Sequence, residues 1–402
     1  MTALRVAIAT AYRQIVGGME QYVGSLIPRL AERGHQIGFL YERSEHPGEP
    51  TIDATGPVSQ RWCAGDDVAA CLRQVAAWEP DVVYVQGLLS SALEAGLAER
   101  FPAILFAHGY YGTCATGTKR HAFPGVEMCH RTFGPACLPI NYARRCGGLN
   151  PLTLAGMYRR EAARLALLPR FRSVLVASRH MVSEFSRHGV APEQLHLVPL
   201  PTTSVTPDVH PPAARPSSGR VLLLGRLTKL KGGDHAIEAL PVAEAALGRR
   251  LSLLVAGTGP ELERWRSLAA RRGVTTEFLG WVEDDQRLEL FRSADLLVVP
   301  SLWPEPFGLV GIEAGCVGLP AVAYEVGGIP DWLVPGESGE LAPGEPPTPA
   351  GLADAIVRAL ADPAHHARLR LGAWRMARRF GMEEHLAVLV PILESACRAP
   401  TA

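Results

Sequence analysis

Along the chain, short continuous apolar runs alternate with longer stretches in which apolar residues recur every three or four positions. The first run, RVAIAT, suits a buried strand, and the stretch MEQYVGSLIPRLAERGH that follows it brings Val23, Leu26, Ile27 and Leu30 onto one helical face, with Pro28 inside the pattern. QIGFLY, DVVYVQ, AILFAHG and SVLVAS repeat the strand signal, separated by helical stretches such as VAACLRQVAAW and MVSEFSRHG. Strand and helix alternating in this way predict a parallel sheet wrapped by helices. A proline-rich stretch interrupts the pattern, which then restarts with RVLLLGRL, RLSLLVAGTG, TTEFLGW, ADLLVVPS and PAVAYEVGG. The expected fold class is therefore α/β, with two doubly wound Rossmann-like domains facing across a cleft. Residues 1–200 form the first, 201–219 the linker and 220–383 the second, with a C-terminal helix at about 384–402 packing back on the first domain.

Composition narrows the partners. The 402 residues are too many for one ordinary core, and 40 Lys+Arg balance 40 Asp+Glu, which argues against nucleic acid as the main partner. No apolar run approaches the ~20 residues that span a bilayer. Arg13 breaks the first apolar stretch before it could serve as a secretory signal, so the expected location is cytoplasmic. Eight cysteines are too few for a disulfide scaffold of this length.

In open parallel sheets ligands bind beyond the carboxyl ends of the strands, and the chemistry-bearing motifs fall there. Gly17 and Gly18 precede the first long helix, where backbone N–H groups can approach an anion; alone, the pair reads as a plain turn before it reads as an anion site. Only three lysines accompany the arginines, and two of them, Lys229 and Lys231, share GRLTKLKGGDH with Arg226, a cluster suited to phosphate oxygens or to a solvated basic turn. Gly257 in VAGTGPE permits close approach to a flat base or a diphosphate. Glu305 and Glu313 stand eight residues apart in PSLWPEPFGLVGIEAG. Eight helical residues advance ~12 Å, a separation that suits the two ends of an extended ligand at least as well as a single bond.

Taken together, EPFGLVGIE with seven residues between its two glutamates, VVPS before it and GLPAVAYEVGGIPD after it resemble the signature of the family-4 retaining glycosyltransferases of the GT-B fold. The resemblance runs through GGMEQYV, LFAHG, GRLTKLKG, VAGTGPE and FLGWV, and so covers almost the whole chain. It implies that the first domain binds the acceptor and the second a nucleotide sugar, with UDP the expected nucleotide. It also implies catalytic roles for His108, Arg226, Lys231 and Glu305, and donor contacts from Gly17, Gly18, Gly257, Glu305, Phe307, Gly308, Leu309 and Glu313. Glu305 would meet sugar hydroxyls, Glu313 the ribose, Arg226 and Lys231 the diphosphate, and His108 would lie beside the sugar. Val326, Gly327 and Gly328 would line the pocket. The implied reaction is transfer of a hexosyl or N-acetylhexosaminyl group to a hydroxyl, with no cofactor required for catalysis. Two departures stand out: LPTTSVTP follows LHLVP where an Asn-Gly-Val-like turn is usual, and Asp331 stands where Glu is usual.

Cys114, Cys129, Cys137 and Cys146 share the long Gly- and Pro-rich stretch after His108, which offers either a structural zinc site or free thiols or a disulfide. Residues 143–172 carry seven arginines and one acid, Glu161, an excess that could face an anionic lipid or acceptor and leaves peripheral membrane contact open. The acceptor stays open among small molecules, saccharides and lipid-linked sugars. A nucleotide-sugar hydrolase or epimerase, and a non-catalytic sugar-nucleotide-binding protein, are the competing readings.

Overall fold

The protein is described by a computed structural model covering residues 3–45, 48–213 and 215–398. A first sheet of seven parallel strands runs in the order Gln60–Cys63 (β3), Gln36–Arg43 (β2), Arg5–Tyr12 (β1), Val82–Val85 (β4), Ala103–Ala107 (β5), Ser173–Val176 (β8) and Leu195–Leu197 (β9). A two-stranded hairpin of Arg120–His121 (β6) and Glu127–Met128 (β7) lies apart from it. The second sheet, also parallel, has the order Thr275–Gly280 (β12), Ser252–Ala256 (β11), Arg220–Leu224 (β10), Leu296–Val299 (β13), Ala321–Tyr324 (β14) and Gly339–Ala342 (β15). The central strands β4, β5, β8, β13 and β14 are buried at every position, as strands covered on both faces must be. Strands β3, β9 and β15 lie at sheet edges, outside the runs read from the sequence.

In both sheets the strand order reverses beside the first strand, between β1 and β4 and between β10 and β13. The loops leaving these strands open into the two crevices where ligands of such sheets bind. The helix Met382–Arg398 packs on β4 and β5 of the first sheet, and its His385 Nε2 lies 2.8 Å from the Tyr22 hydroxyl; residues 399–402 of the expected C-terminal helix lie outside the described residues.

The cysteine-bearing stretch is ordered by charge. Lys119 Nζ lies 2.5 Å from Glu184 Oε1 with both side chains under 4% exposed, and it donates to the Arg131 carbonyl at 2.5 Å. Arg187, at the end of the helix Arg179–Arg187, and His188 just after it lie against the same carboxylate. A buried charge is tolerated only when paired in this way, so the pair pins the loop to the domain.

The two domains touch through named bonds. The Tyr110 hydroxyl donates to the Pro304 carbonyl at 2.6 Å, and the Arg179 N–H donates to Asp331 Oδ2 at 2.7 Å. Gln21 on the helix Gly18–Glu32 ties the first domain to the linker, donating through its amide to the Ser204 hydroxyl.

Candidate active site

Glu305 sits in the loop after β13 and is 5% exposed. Its Oε1 accepts three hydrogen bonds: from Lys231 Nζ at 2.6 Å, Ser301 Oγ at 2.6 Å and Trp303 Nε1 at 3.0 Å. Burial pushes the Glu305 pKa up, but Lys231, Ser301 and Trp303 outweigh it and hold the group below its ordinary value. Glu305 is thus a buried carboxylate with one oxygen saturated and Oε2 carrying no hydrogen bond among the described residues.

The local backbone explains why the sequence is so rich in glycine here. Gly327 has φ of 57°, and a Cβ there would stand 2.2 Å from the Glu305 carbonyl oxygen; that same oxygen accepts the Gly328 N–H at 2.7 Å. The glycine loop therefore seats directly on the Glu305 backbone. Gly257 has φ of 132°, and a Cβ there would stand 2.0 Å from the Gly225 carbonyl. This binds the loops after β10 and β11 together beside Arg226, whose exposed guanidinium has no ion pair among the described residues.

Other expected residues fall elsewhere. Glu313 lies on the short helix Leu309–Gly315, where burial raises its pKa and Arg287, 3.8 Å away, partly offsets this. The Phe307 side chain is 2% exposed and packs edge-on against Phe380 at 5.6 Å, so at that position the loop turns its backbone, not its side chain, outward. Gly308, with φ of 92°, turns the chain into the helix that begins at Leu309. Gly17 caps the helix Gly18–Glu32 in an extended conformation, and the buried Glu20 carboxylate folds back to 3.2 Å from where a Gly17 Cβ would stand. A protein carboxylate thus occupies the anion-favouring end of that helix.

On the facing domain, His108 follows β5 and lies half-buried, its Nε2 2.7 Å from Gln86 Oε1 and its ring stacked on Phe106 at 4.5 Å. Burial, aided by His385, pushes its pKa down to about 3, so it is neutral at neutral pH. Two residues on, Tyr110 bonds the Pro304 carbonyl, which brings the His108 loop against the Glu305 loop. Asp331 contacts the first domain through Arg179. Ser301, Trp303, Arg287 and Gln86 had no place in the sequence reading. The first two lie four and two residues before Glu305 and could have been suspected from that nearness; nothing local marks the others.

The four cysteines are free thiols. Cys114 Sγ accepts the Lys119 N–H at 3.4 Å, and Cys146 Sγ lies 3.3 Å from His121 Nδ1. Among the described residues no group of three or more His, Cys, Asp or Glu side chains stands in position to hold a metal ion. Part of the arginine excess is consumed internally, since Arg160 and Arg164 pair with Glu161 and Arg144 pairs with Glu127. Among the described residues no helix is long and apolar enough to cross a membrane. A cavity of about 610 Å³ lies between the linker and the helix Pro363–Ala377, lined in part by Arg215, Arg249 and Arg370, away from the bonds that converge on Glu305.

Residues 16–202 match the model of Glycosyltransferase Family 4, and residues 210–374 that of Glycosyl transferases group 1. A D-inositol 3-phosphate glycosyltransferase of Catenulispora acidiphila is 30% identical over 94% of this chain and 91% of its own. The chain belongs to the family-4 glycosyltransferases of GT-B fold. The D-inositol 3-phosphate glycosyltransferase of Streptomyces bingchenggensis is 35% identical over 54% of this chain, and the chain spans about half of that relative, 51%. Among solved structures, HepE of Anabaena in complex with UDP and glucose superposes with a TM-score of 0.68 at 18% identity, covering 98% of this chain and all of the other. Sucrose-phosphate synthase of Thermosynechococcus elongatus gives 0.70 at 20% identity, covering 98% of each. These two show the shared fold of this family-4 glycosyltransferase.

Proposed function

We propose that the protein is a retaining glycosyltransferase that moves a hexosyl or N-acetylhexosaminyl group from a UDP-linked sugar to a hydroxyl acceptor. The observation that carries this reading is the Lys231–Glu305 pair, in which a buried carboxylate and a cation share one crevice with the loop that touches the facing domain. Glu305 Oε2 accepts a hydrogen bond from a sugar hydroxyl. Lys231 and Arg226 face the diphosphate, Glu313 the ribose hydroxyls, and the backbone around Gly257, Gly308 and Leu309 approaches the nucleotide. The likeness to proteins whose structures hold UDP and glucose supports the donor class.

In the reaction, the bond from the anomeric carbon to the phosphate oxygen breaks and its electron pair stays on the departing diphosphate. The acceptor oxygen bonds to the same face of that carbon, and its proton passes to the leaving phosphate. Negative charge grows on the diphosphate as the sugar turns oxocarbenium-like, so fixed cations there stabilise the transition state more than the ground state. Neutral His108 accepts a hydrogen bond and does not act as a general base at neutral pH.

A panel of nucleotide sugars, screened first by thermal shift and then for nucleoside diphosphate release with and without acceptor alcohols, tests the reading. Release that depends on acceptor is expected. Full-rate release of free sugar without any acceptor would indicate a hydrolase instead, and binding without turnover on any acceptor would indicate a non-catalytic protein.

A further inference from the structure

The cavity of about 610 Å³ beside the linker lies at the edge of the second sheet opposite the Glu305 loop. Arg215 and Ser217 come just before β10 and Arg249 just before β11, and all three line the cavity, so it sits at the amino ends of these strands. Arg226, Gly257 and Glu305 instead follow the carboxyl ends of β10, β11 and β13. The five residues of β10 alone rise ~16 Å, which sets the cavity apart from the crevice proposed for the donor.

Arg215, Arg249 and Arg370 give the lining three guanidinium groups and no carboxylate. Asp295, whose Oδ1 is 3.3 Å from Arg215 Nη2, offsets one of these charges, and its Oδ2 is taken by Ser217, Ser218 and the Gly219 N–H. Arg249 and Arg370 have no carboxylate partner among the described residues and donate to neutral acceptors. Arg249 reaches Ser217 Oγ at 2.8 Å and the Leu360 carbonyl at 3.1 Å, and Arg370 reaches the Gly318 and Ala213 carbonyls at 3.3 and 2.8 Å. Donors remain unspent on each group. Arg249 Nε and Arg370 Nη2 have no partner among the described residues, and Arg215 Nε is buried without one, an arrangement that costs free energy until an acceptor arrives. Burial and then the Arg215 charge hold the Arg370 pKa below its ordinary value, with Asp295 opposing them only in part.

We propose that this cavity binds a phosphorylated small molecule, with its phosphate on Arg215, Arg249 and Arg370 and its organic body against Leu247 and Leu360. Three arginines less Asp295 leave a surplus of two positive charges, which matches a phosphomonoester carrying about −1.5 to −2 at neutral pH. Guanidinium forks suit its oxygens. The volume falls within the roughly 300–1,000 Å³ of sites for small organic ligands. Arg215 belongs to the linker and Arg370 to the helix Pro363–Ala377, so a phosphate bridging them fastens the linker to the second domain. The proposal does not depend on the transferase reading.

Isothermal titration of the full chain with phenyl phosphate and with benzoate tests this. Phenyl phosphate should bind about tenfold or more tighter than benzoate, which offers the same ring with less charge. Arg249→Gln should weaken phenyl phosphate about tenfold. Ala367→Glu sets a carboxylate at an exposed position of the lining that makes none of these side-chain hydrogen bonds; it should abolish binding while leaving the melting temperature of the free protein little changed. Lys231→Ala, which alters the site proposed for the donor diphosphate, should still bind phenyl phosphate as the wild type does. Equal affinity for benzoate would overturn the phosphate assignment. No binding by the wild type, or binding lost in Lys231→Ala and kept in Ala367→Glu, would overturn the site.

Discussion

At the residue scale the account rests on Lys231. Its ammonium both neutralises Glu305 and faces the site proposed for the leaving diphosphate. Lys231→Ala should lower kcat by roughly 10²- to 10³-fold, the loss seen when one donor to a developing anion is removed. It should also let the Glu305 pKa rise, because burial, the largest influence on that group, would lose its main counterweight. A steady-state assay with saturating donor checks the first point; unchanged turnover would contradict it. Single residues were unevenly legible in the sequence. Lys231 and Glu305 carried their chemistry in rare residue choice and spacing. Arg287 and Gln86 gave no local sign, because Arg287 meets Glu313 and Gln86 meets His108 only after the chain has folded. The packing of Phe307 on Phe380 was hidden for the same reason, since only the fold brings the two rings together.

At the element scale, buried histidines make an acid-sensitivity claim. His108 and His385 have folded pKa values of about 3 and about 4, against an ordinary value of 6.5. Their folded values lie below the unfolded ones, so between these limits the unfolded chain binds more protons and stability rises with pH. Stability should therefore fall as pH drops from about 6.5, by up to about 1.4 kcal/mol per unit for each histidine. Urea unfolding at pH 7.5, 6.5 and 5.5 checks this, and His385→Asn should flatten the slope. The cysteine loop makes a second claim. Lys119→Met leaves Glu184 buried with only Arg187 and His188, and should cost about 3 kcal/mol. Pulsed thiol labelling should show Cys114, Cys129, Cys137 and Cys146 reacting faster in that variant. Most inner strands were legible as continuous apolar runs, because a sheet covered on both faces demands them. The edge strand Gln60–Cys63 was not, since its burial pattern is mostly exposed and its pairing is supplied by β2.

At the scale of the whole molecule, two doubly wound domains meet through a few polar contacts on either side of Glu305. Asp331 is the clearest of these, reaching across to the first N–H of the helix Arg179–Arg187. A carboxylate is well placed there because helix N-termini favour negative charge. Asp331→Ala should widen the nucleotide-free molecule, measured as a larger radius of gyration in solution scattering, and donor should restore it. The same radius in both proteins would show that this contact does not hold the domains together. Doubly wound architecture and the strand-end placement of the motifs were legible at this scale; the contacts that join the domains were not, because each links residues more than a hundred positions apart.

The central claim is that one donor spans the crevice from the Lys231–Glu305 pair to Glu313. A crystal structure with an unhydrolysed UDP-sugar tests it most directly. The account predicts the diphosphate against Arg226 and Lys231, a sugar hydroxyl on Glu305 Oε2 and the ribose on Glu313; a donor bound with its diphosphate away from Lys231 would contradict it.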